Sequence, residues 1–352
     1  MTKNVAAWIP EPKAQLVVKE APDWKAEKGE VVVKVHSVSI QPVDWTTQEL
    51  DIFIKKYPFI NGTDISGEVV EVGEGVNNVA KGDRVLGNCK GLESGEEKHG
   101  AFQKYAVVDS LLVAKIPDSI SFDQATVLPL ALTTASAGLY QSNRLNLPLP
   151  KPDAPNPEGK GKVILVYGGS SSVGTAAIQL AIASGLKVVT TCSPSNFDLV
   201  KSLGAVAAID HRSDSLVADA VKAVEAAGSD FAGVFDAISG KFAVEKSYEI
   251  ATKAFGGKGK LFVASARPPP EDLAEGVQAG GIYSFEILSR EEARIPKAIW
   301  HDFVPQALAN GTLQCKPDPL IVGKGLESIK EGFRVQKAGV SGQKVVVTGI
   351  DA

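Results

Sequence analysis

The stretch Val166-Tyr167-Gly168-Gly169-Ser170-Ser171-Ser172-Val173-Gly174 ("VYGGSSSVG") decides how this chain is read. It follows an aliphatic run beginning at Val163 and opens a segment with helical spacing at Val173, Ala176, Ala177, Leu180 and Ala181. A dinucleotide site needs a tight turn from strand into helix, so that first-turn N–H groups and the helix dipole face a pyrophosphate. In the pattern G-x-G-x-x-G, the first glycine makes the turn, the second lets the backbone approach phosphate, and the third lets helix and strand pack closely. Gly169, Ser171 and Gly174 stand at those positions, and the middle serine offers a hydroxyl that can donate to a phosphate oxygen. The strand-before, helix-after context is what the motif requires. A serine nucleophile on a sharp turn is the competing reading. It needs G-x-S-x-G, and the second glycine would fall at Val173, so the spacing fails by one residue. Its triad would have to draw on His211 or His301, the histidines that follow the loop. A turn that binds nothing is the third alternative.

Downstream the grammar is strand and helix in alternation. Strands are predicted at Val163–Tyr167, Lys187–Cys192, Val206–Asp210, Gly233–Asp236 and Lys260–Ala264, with helices at Val173–Ser184, Phe197–Leu203 and Leu216–Ala227. Such alternation implies βαβ units and a doubly wound parallel sheet. At the end of the second strand an acid would hold the 2′-hydroxyl of NAD. The sequence there is Thr191-Cys192-Ser193-Pro194-Ser195-Asn196, without an acid. Ser193 and Asn196 can donate to a 2′-phosphate, and Lys201 lies about one turn beyond, so NADPH is favoured over NADH. A polar loop with a solvated lysine is the plainer alternative.

Upstream, to about residue 125, short alternating strands such as Glu30–Val38 are separated by glycine turns at 62, 67, 73, 75, 82 and 87. That texture suggests a partly open β-barrel. The proline- and glycine-rich run 148–161 reads as an exposed loop. From about residue 300 a helix (Asp302–Ala309) and a last strand (Lys344–Thr348) return the chain to the first domain. At 352 residues two domains are the better expectation. A 44% hydrophobic, 22% charged composition with net charge −4 is that of a folded protein, with no general reason to bind nucleic acid or an anionic membrane. The first residues lack the apolar core of a signal peptide, and the weakly polar stretch Thr126–Tyr140 is too short and polar to span a bilayer, so a soluble, cytoplasmic protein is expected. Cys89, Cys192 and Cys315 are far apart and have no C-x-x-C spacing, which excludes a disulfide framework and a four-cysteine zinc site.

The segments "NGTDISGEVVEVGEGVNNVAKGDRV" (61–85), "HGAFQKYAVV" (99–108), "ATVLPLALTTASAGL" (125–139), "VYGGSSSVGTAAIQLA" (166–181), "TCSPSNFDLVKSLGA" (191–205) and "SGQKVVVT" (341–348) together resemble the medium-chain dehydrogenase/reductase superfamily. Within it the chain is most similar to the zinc-independent quinone oxidoreductase and fungal trans-acting enoyl reductase branch. The resemblance implies an α/β chain: a GroES-like, partly open β-barrel domain (1–127 and 302–352) and a doubly wound parallel-sheet Rossmann domain (128–301) that binds NADPH, with the cofactor in a cleft between them. Zinc-dependent relatives carry cysteine in the segment matching "SIQPVDW" and Gly-His-Glu at Gly62-Thr63-Asp64. Here Gln41 and Thr63 stand at those positions, and neither is an ordinary zinc ligand. The expected chemistry is therefore metal-free hydride transfer to a quinone or to the C=C of an α,β-unsaturated carbonyl.

By the same resemblance the catalytic candidates are Thr134, Gln41 and Asp44. Thr134 could instead serve a helix start locally, and Asp44 could fix the loop after Pro42. The cofactor candidates are Gly169, Ser170, Ser171, Ser172, Val173, Gly174, Ser193, Asn196, Lys201, His211, Ile238, Ser265 and Lys344. Related fungal sequences often have N-P-x-D-x-K where this chain has Gln41-Pro42-Val43-Asp44-Trp45-Thr46, so a cation near the enolate is missing at Thr46. That departure weighs against carrier-bound substrates, although an acyl-thioester, a carrier protein or a polyketide synthase stays among the expected partners. A non-redox or NADPH-holding sensor on the same scaffold is the alternative function. Tyr57 and Phe59 are read as core or substrate mouth. Residues 281–287 are read as an edge strand that could pair in a homodimer, against a monomer.

Overall fold

A computed structural model describes residues 3–255, 261–265 and 275–352. The chain forms two compact units, residues 1–130 with 318–352, and residues 131–317.

In the first unit the strand order is Asp318–Lys324, Gln343–Thr348, Glu30–Ser39, Asp64–Val72, Arg84–Asn88 and Val113–Lys115, with Tyr105–Asp109 also on Glu30–Ser39. A three-stranded sheet of Val17–Glu20, Val5–Ile9 and Phe59–Ile60 accompanies it. Val31, Val33 and Val35 enter the core with Val345 and Val347 of the last strand, while Lys34 and His36 stay half-buried, as the alternation at 30–38 predicts. Phe59 is core. Tyr57 is half-buried and its hydroxyl donates to Asp51 Oδ1 at 2.5 Å.

The second unit is a six-stranded parallel sheet. Its order is Ala207–Asp210, Lys187–Cys192, Lys162–Tyr167, Asp230–Asp236, Leu261–Ser265 and Val277–Gly281. Lys162–Tyr167 is central, and its aliphatics are buried on both faces. Val163, Leu165 and Tyr167 pack with helices Leu216–Ala227 and Lys241–Phe255, and helix Ser172–Ala183 also packs against the strand. Burial on both faces is why this strand reads as a continuous apolar run.

Two expectations change. The second unit continues past residue 301 to Pro317. Helix Val304–Asn310 buries Val304, Ala307 and Leu308. Asn310 Nδ2 and Thr312 Oγ1 both donate to the Pro152 carbonyl, and Gln314 N–H donates to Gln179 Oε1 at 2.7 Å, so this segment is tied to residues of the second unit. The sheet edge also lies earlier than predicted. Val277–Gly281 is the strand, and Ser284–Leu288 is a 3₁₀ turn that buries Phe285 and Ile287. The apolar alternation at 281–287 is thus met by a turn rather than by a sheet face.

Candidate functional site

In the second unit the glycine loop leaves its strand through Gly168, at φ +82°, a conformation that side chains rarely adopt. The N–H groups of Gly168 and Gly169 both reach the Thr191 carbonyl, fastening the turn to the neighbouring strand. A Cβ on Gly174 would lie 2.2 Å from the Gly168 carbonyl oxygen, and one on Gly169 would lie 2.0 Å from Thr190 Oγ1. Both positions therefore need glycine. Ser171 is the N-cap of helix Ser172–Ala183: its Oγ accepts from Gly174 N–H at 3.0 Å and donates to the Gly168 carbonyl at 2.8 Å. The hydroxyl expected to donate to phosphate is thus spent inside the loop, because a serine before a helix finds the exposed first-turn amides first. Its service to an anion is indirect, through the turn and helix N-terminus it holds.

The acid-free run at the end of the second strand comes to the same loop. Asn196 Nδ2 donates to Ser170 Oγ at 3.2 Å, which joins one predicted cofactor residue to another. Ser193 is half-buried, and its carbonyl accepts the Asn196 N–H. Lys201 is exposed, with its ammonium 5.8 Å from the Phe197 ring centre. His211 follows the third strand, half-exposed, with Nδ1 3.9 Å from Asp210 Oδ1. Ile238, 51% exposed, lies over Gly168, where an added Cβ would come within 2.3 Å of its Cγ1. Ser172 and Val173 begin the helix. Ser265 ends its strand, and its side chain lies outside the described residues. Thr134 is not at a helix start: it lies within Pro129–Tyr140, half-buried, with Ala135 to Tyr140 all buried behind it.

In the first unit the remaining candidates converge on a buried polar cluster. Gln41 caps helix Pro42–Leu50, so Asp44 stands at the third helical position rather than in a loop. Pro42 suits the first position because its missing N–H would have no helical partner. Asp44 Oδ2 accepts the Gln41 N–H at 2.7 Å, while its Oδ1 is buried without a hydrogen-bond partner among the described residues. The Gln41 amide is used at both ends: Nε2 donates to Asp64 Oδ2, and Oε1 accepts from Lys344 Nζ at 2.6 Å. Asp64 also accepts from Ser39 Oγ (2.7 Å) and Leu130 N–H (2.7 Å), and Lys344 Nζ stands 3.8 Å from its Oδ2. Asp44 and Asp64 are fully buried, and Lys344 is 5% exposed. Burial pushes the Asp44 carboxyl up to about 8, reinforced by the Asp64 charge and opposed by the Gln41 amide and Lys344. Burial likewise pushes Asp64 up and Lys344 down, each opposed by the other's charge. Thr46, at the position where a lysine was missed, donates to the Pro42 carbonyl at 2.7 Å. The lysine that does stand beside Gln41 and Asp64 is Lys344, from the last strand.

Two family models match the chain: the alcohol dehydrogenase GroES-like domain over residues 27–118 and the zinc-binding dehydrogenase over residues 172–282. The dehydrogenase orsE of Emericella nidulans is 38% identical over 358 residues, covering 99% of both chains. The chain belongs to the medium-chain dehydrogenase/reductase family. The trans-enoyl reductase himH of Aspergillus japonicus is 39% identical over 345 residues, covering 98% of this chain and 97% of himH. Among solved structures, an alcohol dehydrogenase superfamily protein from Novosphingobium aromaticivorans aligns with TM-score 0.77 at 25% identity, over 98% of this chain and 99% of that one.

Two groups of this medium-chain dehydrogenase/reductase were missed from sequence. Asp64 and Ser39 form the centre of the cluster, and neither is among the sequence candidates. The signal was present, since a carboxylate set between Thr63 and Ile65 in an otherwise buried strand must find partners. Asp236 closes its strand in the same way, fully buried.

Among the described residues no helix is long and apolar enough to cross a membrane.

Proposed function

We propose that this medium-chain dehydrogenase/reductase uses NADPH, without zinc, to reduce an activated C=C of an α,β-unsaturated carbonyl compound or a quinone. The observation that carries the zinc-free part is the Lys344–Gln41–Asp64 contact. Zinc ligands would be thiolate, imidazole or carboxylate. Here the matching positions hold an amide already bonded at both ends and Thr63, with an ammonium group beside them that repels a divalent cation. Those residues do not fit the metal.

The residues of the second unit do fit a dinucleotide. The glycine turn, held by Ser171, presents a capped helix N-terminus, and the side chains at Ser193 and Asn196 are donors where a carboxylate would repel a 2′-phosphate. When bound, the dinucleotide supplies a hydride to an electron-poor carbon. What the barrel unit contributes is electrostatic. Lys344 Nζ donates to Gln41 Oε1 and orients its amide, and burial lowers the lysine's proton affinity while the Asp64 charge opposes that shift; oriented polar groups of this kind favour negative charge developing on a carbonyl oxygen. Asp44 retains its proton at neutral pH and so adds no opposing charge. The name of the himH relative favours the enoyl substrate over the quinone.

The test is NADPH oxidation followed with enones, quinones and acyl-thioesters, with and without a chelator. Turnover unaffected by the chelator is expected. Protein that binds no dinucleotide would refute the reading of the glycine loop, and binding without turnover across the panel would favour a cofactor-holding sensor. Ser193→Asp is expected to weaken NADPH at least about tenfold, or ~1.4 kcal/mol, while NADH changes little. Equal losses for both cofactors would remove the 2′-phosphate assignment.

A further inference from the structure

Asp236 is the last residue of strand Asp230–Asp236 and stands in register with Tyr167, which leads into the glycine loop. Its side chain is fully buried. Oδ1 accepts two backbone N–H groups, from Ile238 at 2.9 Å and from Ser239 at 3.0 Å, and the intervening Ala237 N–H donates to the Tyr167 carbonyl at 3.0 Å. The turn so gathered is unusual. Ser239 has φ +58°, a left-handed conformation a non-glycine residue holds only where its surroundings impose it. Ile238 leaves half its side chain exposed while filling the space above Gly168. An apolar side chain that is exposed yet seated on the first turn of a phosphate loop has a surface to offer a planar ring.

No described cation compensates Asp236. Its Oδ2 makes no hydrogen bond among the described residues, and the buried hydroxyls of Tyr167 and Tyr248, both within reach of its charge, make none either. Burial raises the Asp236 carboxyl, and the two amides are the groups that oppose that shift by donating to its oxygen. An isolated strand end would have no use for a side chain this costly to bury.

We propose that Asp236 is a positioning residue for the cofactor loop, binding the Ile238 and Ser239 amides so that Ile238 is held against Gly168 as one wall of the dinucleotide site. The inference rests on the NADPH reading, and it concerns a residue that does not itself touch the cofactor. Asparagine keeps an acceptor at the Oδ1 position, and alanine removes it.

The experiment measures NADPH dissociation constants by fluorescence for wild type, Asp236→Asn, Asp236→Ala and Ile238→Ala, together with amide hydrogen exchange at residues 238 and 239 of the cofactor-free proteins. Asp236→Ala is expected to raise the dissociation constant tenfold or more and to speed exchange of both amides at least tenfold. Asp236→Asn should stay within threefold of wild type on both. Should Asp236→Ala not fold, Ile238→Ala, an exposed truncation, must still weaken NADPH severalfold. The proposal is overturned if Asp236→Ala folds and binds NADPH within twofold of wild type, if asparagine loses as much as alanine, or if Ile238→Ala changes nothing. A wild type that binds no dinucleotide refutes the cofactor reading and the wall with it, whereas the exchange data then separately report whether Asp236 orders the turn.

Discussion

Replacing Lys344 by methionine is expected to destabilise the protein by about 3–5 kcal/mol near neutral pH, the usual cost of leaving a buried charge without its partner. Methionine approximates the length of the lysine stem, so little volume is lost. What disappears is the cation 3.8 Å from Asp64 and the donor to Gln41 Oε1. Asp64 would then keep Ser39, Gln41 and the Leu130 amide as donors, with no positive group to balance a carboxylate at zero exposure. The cheapest response is for Asp64 to fold with its proton. That costs about 1.4 kcal/mol for every pH unit above the carboxyl's unfolded value. Urea unfolding at several pH values checks both parts. The gap between variant and wild type should be large at pH 7 and narrow on acidification toward pH 5. A gap under about 1 kcal/mol at pH 7, or one that widens in acid, would show that Lys344 is not compensating buried carboxylate.

This cluster also marks where the sequence stops being readable. Strand Lys162–Tyr167 and the helix after it were legible because a strand buried on both faces must be apolar throughout, and the helix, buried from Gly174 to Ala181, is small and apolar almost all round. The glycine spacing was legible for the same local reason. The use of the Ser171 hydroxyl was not, since a phosphate oxygen and the loop's own amide and carbonyl compete for the same serine, and the turn geometry decides which is met. Helix Pro42–Leu50 was hidden by Val43, Thr46 and Thr47, which favour strand, although Pro42 at its start and Asp44 at its third position were start signals. Lys344 and Gln41 are 303 positions apart. No period or spacing connects them, so the Lys344–Gln41 contact follows only from the last strand pairing with Glu30–Ser39.

Asp44→Asn should act in the opposite direction to Lys344→Met, stabilising the protein progressively as pH rises. The Asp44 carboxyl loses its proton near 3.8 when unfolded and near 8 when folded, because burial opposes the charged form. Its folded value is the raised one, so the stability it confers is complete below about pH 4 and is lost as pH climbs through 8. Within that window the folded state binds more protons than the unfolded state, and this carboxyl alone lowers stability by up to about 1.4 kcal/mol per pH unit, with a ceiling of about 6 kcal/mol. Asparagine cannot ionise, and its carbonyl oxygen can still accept the Gln41 N–H that Asp44 Oδ2 takes at 2.7 Å. Its amide also brings donors to the place where Oδ1 has no partner among the described residues. Asp64 and Lys344 titrate in both proteins, so the quantity to follow is the difference in unfolding free energy between variant and wild type, not either curve alone. That difference should be near zero at pH 4 and favour the variant by several kcal/mol at pH 8. Parallel curves over the whole range would mean that Asp44 is ionised in the folded protein at neutral pH, and the barrel unit would then present two buried negative charges to a single lysine.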